Sequence, residues 1–203
     1  MALTLTKGQN LSLNKTAPGV EKFSAGLGWD ARTTTGDKFD LDAFAVLVDA
    51  NGKARSEADF VFFNQMGDVT LDGSKNFDPD KASVMYLGDN LTGEGDGDDE
   101  VIELDLGKIP ADVAKVVIAV SIFEAEQRAQ NFGQVRNAFV RLVNKDTGTE
   151  EVRFDLTEDY FSETAVVFAE LYRNNGEWKF KAIGQGYADG MVGVAKDFGL
   201  NLG

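Results

Sequence analysis

The sequence predicts an all-β protein, an antiparallel β-sandwich with short helical connections, and three observations carry that prediction. Apolar or alternating runs of strand length recur along the whole chain, among them Phe39–Asp49, Val116–Phe123, Ala138–Val143 and Glu151–Leu156. Turn sequences punctuate them at intervals of about 8–12 residues, as sandwiches require; Asp49-Ala50-Asn51-Gly52, Lys145-Asp146-Thr147-Gly148 and Arg173-Asn174-Asn175-Gly176 are the clearest. The hydrophobic fraction, 43% of 203 residues, is enough for one well-filled core. No internal repeat or low-complexity linker divides residues 1–203, so a single domain is expected.

Leu3–Thr6 and Leu11–Leu13 alternate apolar and polar residues around Gly8-Gln9-Asn10, which predicts an N-terminal hairpin or edge. Val20–Trp29 contains Gly26 and Gly28 and predicts a bent strand or a close backbone approach. The second half of Phe39–Asp49 is continuously apolar, as in a sandwich interior, and Asp59–Asn64 predicts another buried strand. Val84–Leu87 and Val101–Leu106 follow, and Val116–Phe123, the most apolar run, is expected at the centre of a sheet. Glu124–Gln130 has helix formers and predicts one or two turns of helix, stopped by Asn131-Phe132-Gly133. Ala138–Val143 with Glu151–Leu156, and Thr164–Tyr172 with Trp178–Ile183, predict two hairpins. The tail from Gly184 is expected to pack on the sheets without a long element of its own.

Composition excludes several functions. A net charge of −14, from 34 acids against 20 bases, makes nucleic acid an unsuitable partner. The chain has no cysteine and no histidine, which removes disulfides, the usual zinc, copper, haem and iron–sulfur sites, and the Ser-His-Asp and Cys-His nucleophiles. Oxygen-ligand metals remain. With no apolar leader or membrane-length run, the expected location is cytoplasmic.

One stretch has the composition of a metal loop. Gly88-Asp89-Asn90-Leu91-Thr92-Gly93-Glu94-Gly95-Asp96-Gly97-Asp98-Asp99-Glu100 places six carboxylates among four glycines, without a cation. Two carboxylates about 6 Å apart repel by roughly 0.7 kcal/mol even in water, so ordering such a segment is costly until a dication reverses the sign. Glycine lets the backbone curl so that oxygens converge. Calcium accepts six to eight flexible oxygen ligands, whereas magnesium demands a rigid octahedron and keeps its waters. The EF-hand pattern fails, because starting it at Asp96 puts Val101 at the glycine position and Gly107 at the closing glutamate. The competing reading is a solvated acidic linker; strand-like runs on both sides argue against it. Asp40 and Asp42 add to the pattern, since residues two apart in a strand share a face and aspartate is depleted in strands. A shared cation is one explanation. Asp49 is assigned to a turn, and Asp68 and Asp72 to a loop.

Gly28-Trp29-Asp30, Asp40-Leu41-Asp42-Ala43, the thirteen-residue loop and the Asn131–Phe139 segment together resemble the TerD family of bacterial tellurium-resistance and stress proteins. The loop is the specific part, and the resemblance covers nearly the whole chain. It implies a calcium-binding β-sandwich with two ions, in a cytosolic protein connected with resistance to tellurite and other stresses, and no known enzymatic reaction. It also implies protein partners in a stress-resistance complex at the inner face of the membrane. The donor set expected for calcium is Asp30, Asp40, Asp42, Asp89, the Asn90 carbonyl, Asp96, Asp98, Asp99 and Glu100. These exceed the roughly three or four charged ligands that one calcium takes, so two neighbouring ions are expected.

The leading functional reading is a calcium-binding scaffold whose metal orders a recognition loop. The alternative is a metal-dependent hydrolase or phosphotransfer enzyme using the carboxylate cluster; it requires substrate-orienting cations at the same cleft, and the loop supplies none. Small-ligand binding, suggested only by distant resemblance to relatives described as cyclic-nucleotide binders, ranks last.

Overall fold

The computed structural model describes residues 2–30, 38–68, 78–88, 97–158 and 160–202. In chain order the strands are β1 (Leu3–Leu5), β2 (Asn10–Ser12), β3 (Lys22–Gly28), β4 (Leu41–Val48), β5 (Phe60–Val61), β6 (Val84–Tyr86), β7 (Glu100–Asp105), β8 (Lys115–Ile122), β9 (Phe139–Asn144), β10 (Glu150–Asp155), β11 (Ala165–Asn174) and β12 (Glu177–Tyr187). They form two six-stranded sheets. Sheet A has the order β1-β10-β9-β3-β7-β6 and sheet B the order β2-β12-β11-β8-β4-β5. All pairings are antiparallel except β1 with β10.

Alternation explains which residues fill the space between the sheets. Ile102 and Leu104 of β7, Val140 and Leu142 of β9, and Val152 and Phe154 of β10 point inward against Leu41, Ala43, Ala45 and Leu47 of β4 and Ile118 of β8. β4 is buried along its whole length, because its other face lies in a second apolar cluster. There Phe44, Val46, Val117, Ala119 and Val167 are covered by Val194 and Ala195 of helix α2 (Gly190–Asp197) and by Leu200. Each buried Phe, Val or Leu side chain among them stabilises the fold by about 1.5–3 kcal/mol. β8 lies between β11 and β4, the central position expected of the most apolar run.

Both predicted hairpins form. β11 and β12 are joined by Asn175 (φ 52°) and Gly176 (φ 78°), the pair of positive φ angles that a two-residue hairpin turn needs. At Asp49 the turn is closed by its own side chain, which accepts the N–H groups of Asn51 and Lys53 at 2.8 and 3.0 Å.

Elsewhere the structure corrects local expectations. The two N-terminal strands are edges but no hairpin: β1 joins sheet A and β2 joins sheet B. Two three-residue strands gain little from each other, whereas an open sheet edge offers a finished template. Leu13 starts a single helical turn, α1 (Leu13–Thr16), instead of ending a strand. The strand expected at Asp59–Asn64 shrinks to β5 after a 3₁₀ turn, Glu57–Asp59, in which the buried Asp59 is gripped by Arg55 at 2.7 and 3.0 Å. Glu124–Gln130 makes irregular turns in place of a regular helix. Glu124 (φ 48°) and Ala129 (φ 50°) are left-handed, and the segment instead buries Ala125 and Gln130 as it crosses from β8 towards β9; packing overrides helix propensity here. The tail carries β12 on to Tyr187 and then α2, eight residues long.

Candidate metal centre

The chain brings the described candidate ligands to one end of the sandwich. Asp30 follows β3, Asp40 precedes β4 and Asp42 is its second residue, and Gly97–Asp99 leads into β7, which begins at Glu100. The ladder pairs Leu27 with Glu100, Gly28 with Phe139 and Leu41 with Ile122, so these strand ends lie side by side within each sheet. Glu100 joins the sheets: its carboxylate accepts the Ala43 N–H of β4 at 3.1 Å. Among the described residues β5 pairs with Ala45 and Val46 and does not reach Ala43, so the glutamate serves this backbone N–H.

Asp89, Asn90 and Asp96 lie outside the described residues. The residues bounding that segment are anchored at this end: the Leu87 N–H donates to the Val101 carbonyl at 2.9 Å, and the Asp99 N–H donates to the Leu27 carbonyl at 2.8 Å.

The described acids fall into three environments. Asp30, Asp98 and Asp99 stand close enough to influence one another. Burial pushes the Asp99 carboxyl above its ordinary value of 3.8; the hydrogen bond from the Trp29 N–H, 2.9 Å from Asp99 Oδ2, opposes this, and the charges of Asp98 and Asp30 add to it. Asp30 accepts the Asn137 side-chain amide at 2.7 Å. Asp98 is held on both oxygens by Arg141.

Asp40 and Asp42 form the second environment. They share the outer face of sheet B, as the alternation predicted, and both are buried, 8% and 6% exposed. The cation that this pair called for is partly supplied by the protein: Arg128 Nη1 lies 3.6 Å from Asp40, and its guanidinium also stacks on Phe123. Asp42 is opposite the buried Ser121 of β8. Glu100 alone makes the third, fully buried and facing the core between the sheets.

Among the described residues no group of three acids is placed to hold an ion by itself. The donor chemistry fits a hard ion: carboxylates close together at neighbouring strand ends, one of them disfavoured in its charged form, with neither imidazole nor thiol in the chain. Asp68 is excluded from this group, because it caps β6 by accepting the N–H groups of Ser83 and Val84 at 2.8 and 3.0 Å and the Ser83 hydroxyl.

Sequence reading missed Arg128, Arg141 and Asn137. Arg141 occupies an outward position in a cleanly alternating strand, where any polar residue satisfies the pattern, and nothing local ties it to Asp98.

The architecture defines a β-sandwich protein with an acidic, oxygen-donor end built from three loop junctions. The sequence profile of the TerD domain family matches residues 1–198, and the chain belongs to that family. It is 52% identical over 201 residues to tellurium resistance protein TerD of Alcaligenes sp, covering 99% of each chain. It is 48% identical over 204 residues to general stress protein 16U of Bacillus subtilis (strain 168), with full coverage of both. A crystal structure of a homologue of telluride resistance protein (TerD) from Streptomyces coelicolor A3(2) shares the fold, with a TM-score of 0.61 at 22% identity over 87% of this chain and 96% of that one.

Proposed function

We propose that this protein is a calcium-binding stress protein, contributing to tellurite resistance as a non-catalytic scaffold in the cytoplasm. The observation that supports the reading is the position of Asp30 and Asp99 at neighbouring strand ends, with Asp99 tied to the Trp29 N–H and its carboxyl pushed up by burial and by the charges of Asp98 and Asp30. Asp30 and Asp99, with Asp89, Asn90 and Asp96, would hold one ion, and a second ion would draw on Asp40 and Asp42 as well. Bound calcium would supply the positive charge that the crowded carboxylates lack and order the segment for a protein partner. The names of the 52% and 48% identical relatives support the stress and tellurium part of the reading. Resistance is indirect in this reading. Reducing an oxyanion requires thiolates or a redox cofactor, and a chain without cysteine and with a net charge of −14 has no such thiol and repels anions.

Calorimetric titration of chelator-treated protein tests the metal. Calcium is expected to bind with little response to magnesium, and Asp30→Asn and Asp99→Asn are each expected to weaken binding about tenfold or more, the scale of losing one charged hydrogen-bonding ligand. No calcium heat, or an equal magnesium response, would sink the reading; a magnesium response accompanied by turnover of a phosphate ester would favour the hydrolase or phosphotransfer alternative. Affinity purification with and without calcium tests the scaffold role, which requires a partner whose retention depends on the metal.

A further inference from the structure

Three consecutive acids fasten the C-terminal end of the acidic segment, each by a different route. Asp99 is tied to β3 through its own N–H and through the Trp29 N–H, and Glu100 to β4 through the Ala43 N–H. Asp98 is tied charge to charge. Arg141 Nε donates to Asp98 Oδ1 at 2.7 Å and Nη2 to Oδ2 at 3.2 Å, while Nη1 donates to Glu150 Oε2 at 3.0 Å. This two-pronged geometry is the strongest pairing a guanidinium and a carboxylate make.

The seat for that carboxylate is built into sheet A. In the ladder Arg141 of β9 is opposite Gly26 of β3, and Gly26 is opposite Val101 of β7. A Cβ on Gly26 would overlap the Asp98 carboxylate, so the side chain rests on bare backbone in the middle of the sheet. Gly26 does not have a positive φ, so its turn-forming freedom explains nothing here; the requirement is for space. A carboxylate clamped this way has a cation already, and a dication at the same oxygens would meet the guanidinium charge.

We propose that Asp98 is the anchor of the acidic segment, with Gly26 and Arg141 as its socket, and that it serves cation binding by holding the segment in place while donating no oxygen to the ion. The functional half of this rests on the calcium reading above; the anchoring half does not.

A double-mutant cycle separates the roles. Asp98→Asn, Arg141→Gln, the double variant and the charge-reversed pair Asp98→Arg/Arg141→Asp are compared by amide exchange at Asp99 and Glu100 in chelator, and by calcium titration. Each single substitution is expected to speed exchange about tenfold and to weaken calcium by a similar factor, the double to be no worse than either single, and the reversed pair to recover part of both, as coupled neighbours do. Gly26→Ala, which leaves every charge in place, is expected to copy the single variants. Arg153→Gln, an outward arginine on β10 paired with Asp155, controls for general loss of charge and is expected to change neither readout. The opposite pattern would overturn the anchor: Asp98→Asn abolishing calcium binding while Arg141→Gln tightens it, with no rescue by reversal, would make Asp98 a ligand and Arg141 its competitor. If the unaltered protein binds no calcium, the metal reading fails, and the exchange arm still decides the anchor by itself.

Discussion

The outer faces of the two sheets are held by different physics. On sheet A, β9 alternates between buried and half-exposed residues along its length and β10 does so from Glu151 on, and the outward charges form a lattice in which Arg141 pairs with Asp98 and Glu150, Arg153 with Asp155, and Lys145, just after β9, with Glu103 of β7. On sheet B the part of the corresponding face under α2 is dry, with Phe44, Val46, Val117 and Val167 packed there, and the Lys115–Glu170 pair lies beyond it. A dry face is fixed by dense packing that tolerates few alternatives. Charge pairs at a solvated face contribute about 0–1 kcal/mol each and respond to ions. The acidic segment is therefore attached where a cation can reorganise its surroundings, and its far neighbours, Asp40 and Asp42, lie at the border where the dry face ends.

The largest expected effect breaks the dry side. Phe44→Ala removes a fully buried ring that packs on Phe60 at a centroid distance of 5.3 Å, and is expected to cost about 3–5 kcal/mol, seen as a lower urea midpoint at unchanged slope. Salt should leave that defect unaltered. Calcium comes next and, under the proposed function, is expected to act on the ionic side. At about a thousandfold above its dissociation constant, one site stabilises the fold by ~4 kcal/mol, and for a domain of this size that raises the melting temperature by about 8–16 °C. Because the unfolded chain keeps its carboxylates, the shift should fall at the low end, and magnesium should give much less. Melting curves in chelator and in millimolar calcium or magnesium decide this.

A smaller effect sharpens the contrast. Arg153→Ala removes the pairing with Asp155 and a guanidinium lying 3.7 Å from the Phe139 ring centroid, both partly exposed. A loss of about 0.5–1 kcal/mol is expected, and its ion-pair share should shrink in 1 M salt, where screening acts within about 3 Å; a loss as large and salt-independent as that of Phe44→Ala would erase the distinction between the faces. Asp49→Asn is expected to do least. Its carboxyl is held below 3.8, chiefly by the Lys53 N–H, so its contribution is present above that value and disappears as pH falls through the lower folded value. At neutral pH calcium titration should be unaffected, and equal effects of Asp49→Asn and Asp99→Asn would mean that general charge, with no defined site, governs binding.

Much of the architecture was legible because its causes are local. The alternation of Phe139–Asn144 and Glu150–Asp155 specified a half-buried hairpin, and the continuous apolar run at Val116–Ile122 specified a strand covered on both faces. Gly26 and Gly28 were readable as points of close approach, and the structure gives the reasons: side chains added there would overlap the Asp98 carboxylate and the Phe139 ring. The helix expected at Glu124–Gln130 was not legible in the same way, because its composition favours helix while two left-handed residues and the burial of Gln130 set its path.

By itself the sequence determined the sandwich class, the turns that close on their own residues and the supply of oxygen donors with no softer ligand, since period, turn chemistry and composition are properties of neighbours along the chain. Only the tertiary structure decided what each acid does. Asp98 meets Arg141 across 43 positions and Glu100 meets the Ala43 N–H across 57, and Asp30 meets Asn137 across 107. Carboxylates that look alike in the sequence become an ion-pair partner, a bridge between sheets and a site of crowded charge, because distant strands bring each of them a different partner and a different share of water.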